Sequence, residues 1–123
     1  MQKNFIIKHS CFIYIYTYIK NLDKLTQLRV LNLSDNTILK IENLEELVNL
    51  RILSLNKNQI SEIKGLGSLI RLEELYINEN PINDLNVLKD LPNLKLISIA
   101  GTMIHPDIIQ DFKNSCDIII IQG

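Results

Sequence analysis

Four side chains of this 123-residue chain have the chemistry of metal ligands or reactive thiols: His9, Cys11, His105 and Cys116. Imidazole nitrogen and thiolate sulfur are the usual zinc ligands, and a zinc site gathers three or four of them around one point. Two of these residues lie near the start of the chain and two near its end, so the fold decides whether they can meet. A second group is acidic: Glu73, Glu74 and Glu79. Two converging carboxylates could divide general-acid and general-base work. Adjacent residues on a strand point to opposite faces, so Glu73 and Glu74 do not form such a pair, and a solvated face is the expectation. Neither a G-x-S-x-G elbow nor a G-x-x-x-x-G-K-[ST] loop occurs. Gly65-Leu66-Gly67 starts like a dinucleotide loop, but Leu66 belongs to an apolar column described next and reads as part of a turn. No constellation supports catalysis, so the expected class is not an enzyme.

What positions these residues is repetition. Shifted by 22 residues, the sequence lies on itself. Leu31, Leu53, Leu75 and Ile97 fall in one column, and Leu33, Leu55, Ile77 and Ile99 in another. Asn36, Asn58 and Asn80 share a third, where Thr102 takes the fourth place. Ile38, Ile60, Ile82 and Ile104 make a further column, as do Leu25, Leu47, Leu69 and Leu91. The composition follows from this template: 20 Leu, 22 Ile and 14 Asn make up almost half the chain. So much Ile and Leu excludes a disordered chain. A formal net charge of -1 offers no global field for nucleic acid or an anionic membrane. Two Cys are too few for a disulfide scaffold, and no apolar run approaches a membrane span.

The column spacing dictates local structure. Leu31 and Leu33, two apart, share one face of a short strand, while Val30, Asn32 and Ser34 share the other. The Asn column suits the turn that follows, because an amide can both donate to and accept from the backbone of neighbouring coils. The spacing of three in Leu44, Leu47 and Leu50 predicts a tight 3₁₀ or α turn on the outer side. A single coil cannot bury its apolar face, so stacking must supply the core.

The pattern L-x-x-L-x-L-x-x-N-x-I-x-x-I-x-x-L resembles a leucine-rich repeat. Its 22-residue period is similar to that of the type-1 protein phosphatase regulatory subunit, on Lys40-Ile41-Glu42-Asn43-Leu44, and of internalins, on Ile82-Asn83-Asp84-Leu85. The resemblance covers about four fifths of the chain. It implies an α/β leucine-rich repeat solenoid: a right-handed arc, parallel strands on its concave face, short 3₁₀ or helical turns on its convex face, and a helix-strand cap. The chain then divides into a degenerate N-terminal coil (1–21), the repeats (22–104) and a C-terminal cap (105–123).

In the cap, Pro106 opens a helix with Asp107 in its first turn, and Ile108, Ile109 and Phe112 form its apolar face. Extending the 22-residue register forward puts Ile119 and Ile121 in the columns of Leu31 and Leu33. Extending it backward puts His9 and Cys11 there, Tyr14 in the Asn column, and Tyr16 and Ile19 inward. The alternation from Ile13 to Ile19 reads as an eroded gene start rather than a functional aromatic strip, and a secretion signal is not expected because Lys8 and His9 interrupt the apolar run and no small-residue cleavage site is obvious. Cys11 and Cys116 would lie five strand spacings apart, roughly 24 Å at ~4.8 Å each. That is beyond the ~7 Å limit for a disulfide and excludes a shared metal, so free thiols are expected, as in a reducing compartment.

The outward rows of the wall are the expected site of function: Val30, Ile52, Glu74 and Leu96; Asn32, Ser54, Tyr76 and Ser98; Ser34, Asn56, Asn78 and Ala100. Partner contacts are expected from Ile52, Ser54, Asn56, Glu74, Tyr76, Asn78, Leu96 and Ser98, with Tyr76 as anchor because Tyr is over-represented among residues that dominate binding energy. Arg29, Arg51 and Lys95 could steer charge at the edge. The expected function is non-catalytic protein binding through the concave face, in the cytoplasm, with no cofactor, metal, nucleic acid or membrane. Alternatives are a regulatory subunit of a phosphatase-like complex, a surface or adhesion module, and a fragment of a longer repeat protein. Weak self-association through an edge formed by Ile118 to Ile121 is a further expectation.

Overall fold

The computed structural model describes residue 19, residues 22–123 and, as backbone, residues 4–6. Short strands recur once per coil: β1 Asn4–Ile6, β2 Val30–Asn32, β3 Ile52–Ser54, β4 Glu74–Tyr76, β5 Leu96–Ser98 and β6 Ile119–Ile121. They form one parallel sheet in chain order. From β2 to β5 the register is the 22-residue one, with Leu31, Leu53, Leu75 and Ile97 paired in succession. The same four residues are 0 % exposed. Ile19 and Leu22 join this core.

Behind the strands, the apolar triplets build the tight turns that their spacing predicts. The N–H of Leu47 donates to the Leu44 carbonyl and that of Leu50 to the Leu47 carbonyl, and the pattern recurs at Leu66, Leu69 and Leu72. Among the described residues, only Asn86–Asp90 continues into a 3₁₀ helix. Each N–H donates three residues back, the 3₁₀ geometry, which brings every third side chain to the same inner edge.

The Asn column is a ladder. Asn58 Nδ2 donates to the Leu55 carbonyl of its own coil (2.9 Å) and to the Leu33 carbonyl of the coil before (3.1 Å), while its Oδ1 accepts from the Ile38 N–H (3.0 Å). Asn80 repeats this with Ile77, Leu55 and the Ile60 N–H. Thr102, in the fourth place, keeps only the bond within its coil, from Oγ1 to the Ile99 carbonyl (2.7 Å). The Ile82 N–H turns instead to the Asn80 carbonyl. A hydroxyl is too short to span two coils, so the ladder stops where the Asn stops.

One residue per coil, just before the ladder, adopts the left-handed conformation: Asp35, Lys57, Glu79 and Gly101. Its N–H reaches the following coil, at the carbonyl of Asn56, Asn78 or Ala100 for the first three. Those three are held in a conformation that ordinarily favours Gly. Gly65 is a different case: at φ +74, a Cβ would stand 2.6 Å from the Ile41 carbonyl oxygen.

The structure corrects the register at both flanks. β1 sets Phe5, not His9, opposite Leu31. His9, Cys11, Tyr14 and Tyr16 lie outside the described residues. At the other flank, Ile97 pairs with Ile120 and not with Ile119. The cause is the cap. A ten-residue helix, α1 Pro106–Ser115, takes the place of the outer turn, and the coil becomes one residue longer. His105 caps α1 through Nδ1, which accepts from the Asp107 N–H, and Pro106 opens it. Phe112 is buried, with Ile108 and Ile109 packed beside it, and Lys89 lies over its ring at 5.9 Å. A one-residue slip exchanges the two faces of a strand. Ile118 and Ile120 therefore pack on the core, and Ile119 and Ile121, expected inward, are the exposed pair.

Two predictions follow from the ladder and the tight turn. Replacing Asn58 with Ala leaves the buried Ile38 N–H without its acceptor, while the Leu33 and Leu55 carbonyls keep Asn36 and Asn80 as donors, so unfolding in urea should show a loss of about 1 to 3 kcal/mol; Asn49→Ala, on the exposed outer turn, should cost less than about 1 kcal/mol. Gly65→Ala should lower stability by roughly 1 to 3 kcal/mol through its clash and positive φ. Gly67→Ala, whose Cβ meets nothing within 4 Å, should be close to neutral in the same measurement.

Candidate functional site

All eight residues singled out for partner contact stand on the strand-lined wall, but the structure divides them into two kinds. The polar ones are largely engaged with one another. Ser54 Oγ lies 2.9 Å from Ser34 Oγ, and Asn56 Oδ1 accepts from the Asn78 N–H at 2.8 Å. Asn78 Oδ1 accepts from Ser98 Oγ at 2.8 Å and from the Ala100 N–H at 2.7 Å. These bonds tie each coil to the next, as the Asn ladder does deeper in. Ser98 is 5 % exposed, because β6 lies alongside it and Asn78 takes its hydroxyl. It is a structural residue of the wall and not an open contact.

The other kind is half-buried and available: Ile52, Glu74, Tyr76 and Leu96. Ile52, Glu74 and Leu96 occupy one row on adjacent strands. Tyr76 is two residues beyond Glu74 on β4, which puts both side chains on one face. The Tyr76 hydroxyl donates to Glu74 Oε2 at 2.6 Å. The signal for this pair lies in its two-residue spacing along β4, which the rows across the sheet do not show. The carboxylate raises the Tyr76 pKa above the usual phenol range: first by accepting the hydroxyl hydrogen bond, then with help from burial and from repulsion of a phenolate. Tyr76 therefore stays a donor at neutral pH, and the ring is held at a set angle over the wall.

Glu73 points away from Glu74, as the alternation requires, and meets Lys95 Nζ at 3.6 Å. Arg29 and Arg51 are exposed at the edge, and their carbonyls accept from the next coil. The observed register adds two residues that the 22-residue count puts inward. Ile119 continues the row of Glu74 and Leu96, and Ile121 continues the row of Tyr76 and Ser98. They are 64 % and 39 % exposed. Their signal was the Pro106 helix, whose length breaks the 22-residue count.

Among the described residues, no three of His, Cys, Asp and Glu gather as metal ligands. Cys116 is a free, half-buried thiol packed against the core. No helix among the described residues is long and apolar enough to cross a membrane. A groove of about 280 Å³ lies on the outer side between Lys64, Gly65 and Val87, remote from the strands.

A family model described as leucine-rich repeats in two copies matches residues 26–68 and 48–90. Among solved structures, internalin C2 of Listeria monocytogenes is similar at 30 % identity and a TM-score of 0.75, over 87 % of this chain and 47 % of that one. A leucine-rich repeat protein of Leptospira interrogans is similar at 24 % identity and a TM-score of 0.72, over 85 % of this chain and 28 % of that one. A second internalin of Listeria monocytogenes gives 23 % identity and a TM-score of 0.74, over 94 % and 39 %. The chain thus spans less than half the length of these structures. No curated protein sequence matches. The resemblance to a phosphatase regulatory subunit gains no support from these matches.

The Tyr76 bond predicts a pH effect. A raised pKa in the folded state contributes stability that is whole below the unfolded value near 10 and is lost as pH climbs through the folded value. The phenolate absorbance that disappears in Tyr76→Phe should therefore titrate above the usual range. In Glu74→Gln it should titrate lower, in a spectrophotometric titration.

Proposed function

On the premise that this chain belongs to the leucine-rich repeat family, whose fold is typically a protein-protein interaction module, we propose that it binds a protein partner through its strand-lined wall. The observation that carries this reading is the separation of the wall into a self-bonded polar part and an open part. Ser54, Asn56, Asn78 and Ser98 hold the coils together, which gives a rigid floor. Glu74 and Tyr76 stand on that floor with aliphatic neighbours Ile52 and Leu96. A rigid aromatic side chain loses little freedom on binding, which is why such residues dominate interface energies. The reading is non-catalytic, since Glu74 and Tyr76 bond each other and the Ser54 and Ser98 hydroxyls beside Tyr76 are engaged with Ser34 and Asn78.

The test is direct. A partner captured from cells of the source organism and identified by mass spectrometry is titrated calorimetrically against the purified chain. Tyr76→Ala should weaken binding by about 2 kcal/mol or more with an unchanged circular dichroism spectrum. Ile70→Ser, on the outer turns, should leave the affinity as it was. The opposite ranking would move the binding surface to the outer side and overturn the proposal.

A further inference from the structure

The charge on the wall is uneven in a way that specifies its partner. Glu74 is half-buried, and among the described residues no Lys, Arg or His nitrogen lies within 4.0 Å of its carboxylate. Arg71, the nearest base by sequence, donates to Asn49, and Lys95 on the next coil is taken by Glu73. The carboxylate has the Tyr76 hydroxyl as its hydrogen-bonding neighbour and aliphatic Ile52 and Leu96 on either side in its row. A partner that covered it with apolar or neutral atoms would bury an unpaired charge, which is costly. An acidic partner would be repelled. A cation would gain the carboxylate and, at the same place, the face of the Tyr76 ring.

The row continues past Leu96 to Ile119, two strand spacings from Glu74, or roughly 10 Å at ~4.8 Å each. Ile119 is the most exposed Ile of the wall, so the C-terminal half of the wall is apolar where the middle is negative. Resting on the wall-binding reading above, we infer that the partner presents a lysine or arginine to the Glu74–Tyr76 pair, with a large apolar side chain beside it that settles against Leu96 and Ile119. Charge complementarity fixes the first contact and apolar area the second.

The experiment selects a random peptide library displayed on phage against the purified chain, then measures chosen peptides by fluorescence anisotropy on four proteins: unaltered, Glu74→Gln, Ile119→Ser and Tyr76→Ala. Recovered peptides should be rich in Lys or Arg close to a large apolar residue. Glu74→Gln should weaken them by on the order of tenfold and remove the gain over peptides whose basic residue is replaced by Gln. Ile119→Ser should weaken binding while leaving that basic preference in place. Peptides that lose affinity in Tyr76→Ala yet show no basic preference would overturn this inference and leave the wall-binding reading standing. Peptides indifferent to Tyr76→Ala, or no binding peptides at all, would overturn both.

Discussion

The amide side chains of Asn58 and Asn80 are the joints on which the rest depends. A coil of 22 residues turns back on itself after only three residues of strand, and every turn leaves backbone groups facing inward. Buried and unpaired, each would cost free energy comparable to a lost hydrogen bond. The Asn side chain answers this because it is at once a double donor and an acceptor. It closes the turn of its own coil and reaches the coil before. The Leu and Ile columns supply the driving force for stacking, but without direction. The ladder supplies direction, since a rung exists only when two coils are in register.

The regular stretch of the fold was legible in the sequence because each physical demand there is met by one residue type at one spacing. Leu53 needs a closed column, Asn58 a turn, and Leu66 to Leu72 a 3₁₀ edge. All three appear where the spacing puts them. The flanks were not legible by the same means, because counting assumes that every coil has the same length. A helix at Pro106–Ser115 occupies more chain than a tight turn, and Ile119 moves from core to wall as a result. At the other flank β1 pairs Phe5 with Leu31, where counting back by 22 puts His9. The wall was legible as a list of positions but not as a set of contacts. Asn56, Asn78, Ser98 and Tyr76 look alike as outward residues, and only the distances separate the bonds between coils from the open pair.

The polar floor has an energetic role beyond joining coils. Tyr76 and Glu74 can stand proud of it only because their neighbours do not move. Ser54, Asn78 and Ser98 restrict the side chains beside β4, and the hydroxyl bond to Glu74 restricts Tyr76 itself. A surface prepared in this way loses less freedom when it is covered. The left-handed residues at the loop edge work toward the same end. Asp35, Lys57 and Glu79 accept local strain so that their N–H groups can reach the following coil.

Because one coil meets the next through the same rungs, the interior of the stack is made of exchangeable parts. A genetic duplication or loss of 22 codons between Asn36 and Asn80 would restore the apolar columns and the Asn rungs at the seam. The cap helix, which grips only its immediate neighbours through Phe112 and Lys89, would not register the change. The wall would simply lengthen or shorten by one strand spacing, about 4.8 Å. The reach of this surface is therefore a quantity that recombination can adjust in fixed steps. The chemistry displayed on it can drift separately, one outward residue at a time.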